Sequence, residues 1–139
     1  MTAPLARLSA IRKTFGAVVA NDDVSLEIRA GEVRFVGKVG TDYDLAQAQQ
    51  AARVCGLNLI AALRLACGGS LERVSYCLRL GGFVNCTPNF PSIPQVINGA
   101  SDLMHELFGD RGHHARTAVG VANLPRGAAV EVDAIFAVT

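Results

Sequence analysis

Three histidines, four cysteines and a Gly37-Lys38 pair are the residues here whose types could bind a metal, form a redox pair or cradle a phosphate. His113 and His114 are adjacent, and adjacent strand residues point to opposite faces, so without a third ligand the pair is no zinc site. His105 falls on a helix whose other face is apolar, where a solvated imidazole is the default. Cys55, Cys67, Cys77 and Cys86 form no CxxC pair and none is spaced to team with histidine, so reduced, buried thiols are expected. A phosphate loop needs the form GxxxxGK[ST]. Between Gly31 and Gly37 lie five residues rather than four, and Val39 replaces the hydroxyl, so that site is absent. What remains is charge on the last strands. Arg116 offers a planar fork that suits a carboxylate better than an ammonium would, although an arginine at a strand start can simply pair with a surface acid. Glu131 and Asp133 share one face of an alternating segment, which suits an outward-facing strand equally well.

Those residues need elements to hold them. Residues 44–66 carry Leu45, Ala48, Ala52, Cys55, Leu59, Leu63 and Ala66 along one helical face, with Asp42 or Asp44 as cap and Gly68-Gly69 as stop. Residues 73–80 alternate and continue through Phe83-Val84, with Gly81-Gly82 marking a bulge or a close backbone approach. After a loop holding Pro88, Pro91 and Pro94, a second amphipathic helix runs over residues 96–108 to Gly109. Strands over 115–122 and 129–138 close the chain. Ahead of all this, residues 24–29 and 33–36 read as a hairpin turning at Ala30-Gly31-Glu32, with Asn21-Asp22-Asp23 as a polar turn before it. The order hairpin, helix, strand, helix, strand, strand predicts an α+β domain with two helices on one face of a mixed sheet.

The chain has 139 residues, enough for one domain with a core, and it is half hydrophobic with 18% charged residues, which excludes a disordered chain. A net charge of +1 and eight aromatics leave no basic stripe for a nucleic acid, and no stretch approaches a membrane span. A cytoplasmic location and self-association are expected, with neither nucleic-acid nor membrane partners.

The last quarter then supplies its most specific pattern. His114-Ala115-Arg116-Thr117-Ala118-Val119-Gly120-Val121-Ala122, Leu124-Pro125-Arg126-Gly127-Ala128 and Val130-Glu131-Val132-Asp133-Ala134-Ile135 resemble the closing segment of the Rid family, the YjgF-like reactive-intermediate deaminases. Asn98-Gly99-Ala100 and the helix over 44–66 extend the likeness to about residues 35–139. The resemblance implies a chorismate-mutase-like fold, a homotrimer with clefts between subunits, and hydrolysis of 2-imino acids to 2-keto acids and ammonia without a cofactor. It places the carboxylate-binding arginine on Arg116, a water-managing glutamate on Glu131 and a polar cleft residue on Asn98, which would otherwise be a helix cap. Where many deaminases of the family carry cysteine, this chain has Ala118.

Residues 11–33 instead resemble the opening hairpin of ABC-transporter ATPases, with Phe15 where an adenine-stacking aromatic would sit. Residues 1–34 thus read as a hairpin segment rather than an independent domain, filling a sheet edge that relatives fill with strands of their own and a cleft tyrosine. No tyrosine matches in residues 1–34. The resulting expectation is an imine or enamine deaminase. A non-catalytic protein that binds small carboxylates in the same cleft is the alternative, with ribonuclease action and nucleotide binding ranked below both.

Overall fold

The computed structural model describes residues 6–15, 18–28 and 35–139, the first two stretches as backbone only. The chain divides into two units, Met1–Glu32 and Val33–Thr139. In the first, β1 (Ala6–Phe15) and β2 (Val18–Ile28) pair antiparallel, with Ala6 opposite Ile28 and Phe15 opposite Val18. This corrects the sequence-based hairpin: residues 24–28 pair with the segment before them, and Val36 bridges Ala128 instead. Alternation identifies a strand but not its partner. The expected turn at residues 30–32 lies outside the described residues, as do residues 16–17 and 29–33 of the ATPase-like stretch. Asn21-Asp22-Asp23, expected as a turn, lies within β2, where the pairing slips register on both sides of Lys13.

In the second unit, α1 (Leu45–Ala66) begins at a reciprocal cap. The Gln47 amide donates to Asp44 Oδ1 at 2.9 Å and the Asp44 amide donates to Gln47 Oε1 at 3.0 Å, which satisfies two amides the first turn leaves unpaired. The helix stops at Cys67, after which Gly68 and Gly69 take φ of 76° and 99°. Its buried stripe runs through Ala48, Ala52, Gly56 and Ile60, with Cys55 and Leu63 at the flank and Ala66 exposed, a rotation from the face expected. The smallest side chains face inward because α2 (Ile93–Phe108) lies close against them.

The sheet is mixed. Its central strand β3 (Val74–Asn85) pairs parallel with β4 (Ala115–Val121) and antiparallel with β5 (Val130–Val138). Helix α2 packs over β3 and β4 while α1 packs over β5, so both helices lie on one face, the α+β architecture expected. The bulges of β3 fall between Val74 and Tyr76 and between Cys77 and Arg79, not at Gly81-Gly82. Gly82 instead marks a close approach: a Cβ there would overlap the side chain of Ile97. Leu80, Val84, Val96, Ile97 and Met104 form the centre of the core. On the face away from the helices Tyr76, Leu78 and Ile135 remain 55%, 51% and 53% exposed. Among the described residues no helix is long and apolar enough to cross a membrane.

The tightest helix contact is at Gly99, where an added Cβ would overlap the backbone carbonyl of Gln49 on α1. Backbone cannot turn aside as a flexible side chain can, so Gly99→Ala forces the helices apart. It is expected to destabilise the protein by about 1–3 kcal/mol, read as a lower denaturation midpoint at unchanged helix content. An unchanged midpoint would show that the α1–α2 contact is not tight.

Candidate functional site

Arg116 sits near the start of β4, opposite Leu80 of β3, and Leu80 is fully buried beneath the helices. Cross-strand partners share a face, so Arg116 lies on the helix side of the sheet. There its Nη1 donates to Asn98 Oδ1 at 2.7 Å and to Ser101 Oγ at 3.2 Å, both on α2. Three residues apart on a helix, Asn98 and Ser101 present one surface, and Arg116 bridges them. Neither plain alternative for these residues describes what is seen. Asn98 lies inside α2, whose N-cap is Ser92, because the helix starts at Ile93 with Pro94 in its first turn, ahead of the expected Val96. Arg116 takes neutral partners, and among the described residues its Nε and Nη2 carry no hydrogen bond.

Ser101 is 7% exposed and leads to a third residue. Its Oγ lies 3.0 Å from Nε2 of His114, whose Nδ1 lies 2.6 Å from the carbonyl oxygen of Gly112. The rings of His105 and His113 gather beside it, with centroids 4.6 Å apart, and the rings of His105 and His114 are 5.6 Å apart. Strand alternation does not separate His113 from His114, contrary to expectation, because both precede β4 and follow a short 3-10 turn, Gly109–Gly112. Among the described residues no group of three His, Cys, Asp or Glu could hold a metal ion.

Glu131 stands apart from this arrangement. It pairs with Phe83, three residues along β3 from Leu80, so its position alternates to the other face of the sheet from Arg116, on the edge strand β5. It is exposed and borders an apolar hollow of about 400 Å³ between α1 and β5, lined by Cys55, Leu59, Pro125 and Val130. Within one chain Arg116 and Glu131 are not brought together. Ala118 lies two residues beyond Arg116, partly buried on the same face against Gly82. The cysteines are all free. Burial, reinforced by the charge of Glu131, pushes the Cys55 thiol up to about 11, and burial alone does the same for Cys77. Burial also raises Cys86, although the Lys38 charge opposes it, so these three are protonated thiols at neutral pH.

Sequence reasoning missed Ser101, His114 as a partner of Ser101, and Lys38. The Lys38 ammonium donates to Asn85 Oδ1 and to the Ala122 carbonyl, both at 2.7 Å, and ties down the loop after β4. A signal for Ser101 existed in its i+3 spacing from Asn98, since both must line one helix surface. None existed for Lys38, whose partners are far along the chain.

The chain matches the family described as YjgF/chorismate mutase-like, putative endoribonuclease, over residues 19–137, a span beginning inside the ATPase-like stretch. It is similar to Protein TCP17 of Trypanosoma cruzi, at 47% identity over 100 residues that make up 71% of this chain and 62% of that protein. Among solved structures it resembles Atu1372 of Agrobacterium tumefaciens, a protein titled as of unknown function, at 42% identity and a TM-score of 0.78 over 81% of this chain and 70% of that one. A putative endoribonuclease from Shewanella oneidensis matches at 34% identity and a TM-score of 0.74, over 79% of this chain and 72% of that one.

His114 generates a pH prediction. Burial is the main cause that lowers its pKa below the ordinary 6.5, opposed by the Gly112 carbonyl and aided by the charges of His105, Arg116 and His113. A folded value below the unfolded one means the unfolded chain binds more protons, so this contribution to stability is intact above pH 6.5 and is lost as pH falls through the folded value. An NMR titration is expected to place the His114 midpoint below 6.5, and His114→Gln to flatten the acid-side loss of stability. A midpoint above 6.5 would contradict this.

Proposed function

The chain belongs to the YjgF/chorismate mutase-like family, and from that membership and the setting of Arg116 we propose that it is a Rid-type deaminase, hydrolysing reactive 2-imino acids to 2-keto acids and ammonia. The observation that carries this reading is how the guanidinium is held. Nη1 is spent on Asn98 and Ser101, which leaves the edge formed by Nε and Nη2 to receive a planar anion in two parallel hydrogen bonds. A 2-imino acid presents such an anion next to its reacting carbon.

The chemistry asks for little more. Water adds to the imine carbon, the nitrogen takes a proton, and the carbinolamine expels ammonia as its C–O bond becomes the ketone. Glu131 is the candidate that orients the water and shuttles its proton. Because it lies on the other face of the sheet from Arg116, the two can serve one substrate only when they come from different copies, which supports a homotrimer with clefts between subunits. The exposed Tyr76, Leu78 and Ile135 give such an assembly apolar surface to cover. Asn98 and Ala118 line the carboxylate end, and no cofactor or metal is required.

Ribonuclease action, named in the family's description, is the weaker reading for this chain because +1 net charge gives little to hold a phosphate backbone. The test couples the protein to a threonine dehydratase and follows 2-ketobutyrate. Acceleration by the parent and a fall of about a hundredfold in kcat/KM for Arg116→Ala are expected, the loss of two charge-assisted hydrogen bonds. Saturable keto-acid binding without acceleration would select the non-catalytic carboxylate-binding reading, and equal rates for parent and variant would remove Arg116 from its role. Sedimentation is expected to give a trimer of the 14.6 kDa chain.

A further inference from the structure

We propose that Ser101 and His114 are positioning residues for the Arg116 anchor, forming a hydrogen-bond relay with a single permitted direction that fixes which edge of the guanidinium meets the ligand. The inference rests on the reading of Arg116 as a carboxylate anchor and goes beyond it, to what sets the anchor's orientation.

The direction follows from the two ends. A backbone carbonyl can only accept, so at 2.6 Å from Gly112 O the Nδ1 of His114 must carry a hydrogen and donate it. A guanidinium can only donate, so Ser101 Oγ must accept from Arg116 Nη1 at 3.2 Å. Between these ends lies the 3.0 Å contact of Ser101 Oγ with His114 Nε2. With the imidazole neutral, Nε2 accepts the hydroxyl hydrogen, and every donor and acceptor in the relay is used once. A protonated imidazole breaks that order. Nε2–H would then also donate to Oγ, the hydroxyl hydrogen would lose its acceptor, and two cations would converge on one oxygen. The groups facing His114 act against protonation as well: His105 from α2, His113 beside it and Arg116 from β4.

The relay also explains why a buried serine sits on α2 at this point. Ser101 is 7% exposed, and a lone hydroxyl so placed would cost stability unless paired. Here it is paired on both sides. Asn98 and Ser101 then engage the two hydrogens of a single nitrogen, so the guanidinium plane cannot rotate its free edge away without breaking both bonds.

The experiment measures calorimetric binding of 2-ketobutyrate, which does not depend on turnover, together with the ¹⁵N resonances of the His114 ring. For the parent, His114 is expected as the Nδ1–H tautomer at neutral pH. Ser101→Ala is expected to weaken binding about tenfold and to raise the His114 titration midpoint, because Nε2 loses the donor that favours its neutral form. Ser101→Thr, which keeps the hydroxyl, is expected to bind within about twofold of the parent, an outcome that general loss of packing would not give. An Nε2–H tautomer in the parent would overturn the relay. So would Ser101→Ala binding like the parent while Arg116→Ala does not bind, a result that leaves the anchor standing. If Arg116→Ala binds as well as the parent, the anchor itself is wrong and the relay positions nothing.

Discussion

The seating of α2 on the sheet and against α1 is the contact from which the rest of the second unit follows. It is possible only because glycines stand where α2 comes closest to its neighbours, against backbone at Gly99 and against the Ile97 side chain at Gly82. Gly99 abuts the Gln49 carbonyl on α1, and Gly82 lies beneath Ile97 on β3, with no space for a Cβ at either point. Close approach of this kind gains dispersion contacts along the interface and fixes the height of α2 above the strands to within a fraction of a methyl group. That height decides whether Asn98 and Ser101 can reach a side chain rising from β4. The hydrogen bonds of 2.7 and 3.2 Å to Arg116 are therefore consequences of apolar packing several residues away.

The polar cluster in turn constrains protonation more than it adds stability. Hydrogen bonds exchanged with water contribute little net, and Arg116 is exposed. What the cluster supplies is order. A carbonyl that cannot donate and a guanidinium that cannot accept stand at opposite ends, so the hydroxyl and imidazole between them have no alternative arrangement while His114 is neutral. The same geometry makes an isolated histidine reading incomplete. His114 is partly buried between the helix and the strand start, whereas His105 and His113 lie on the exposed side of the trio.

Much of this was legible in the residues. The helices, the three strands of the mixed sheet and the α+β layering follow from periodicity and from glycine and proline punctuation, because those signals are local. Pairing is not local, and there the reading failed: residues 24–28 alternate as expected but pair backward with β1. The apolar face of α1 was rotated for a related reason. Ala48 and Ala52 are buried as expected, but where hydrophobicity favoured Cys55, Leu59 and Leu63, close packing selected Gly56 and Ile60, and only the neighbouring helix makes a glycine the better choice. At the site, Arg116 and Asn98 could be named from their pattern. Ser101 shares a helix surface with Asn98 by its i+3 spacing, but its link to His114 was not legible, since nothing in the sequence says that residues 101 and 114 meet.

The separation of Arg116 from Glu131 has a physical cause that no side-chain rearrangement removes. Their strands flank β3 on opposite sides, which sets them about 10 Å apart across the sheet, and their partners on β3 are three residues apart, about another 10 Å along it. An odd offset of three also places them on opposite faces. Rotamers move charged atoms by a few ångströms but cannot carry a side chain through a hydrogen-bonded sheet. A single chain consequently holds the two groups apart, the Arg116 guanidinium against α2 and the Glu131 carboxylate beside the hollow between α1 and β5. Chemistry that needs both groups on one small molecule requires a second copy to supply the other group, and the exposed apolar face carrying Tyr76, Leu78 and Ile135 is a surface with physical reason to meet one.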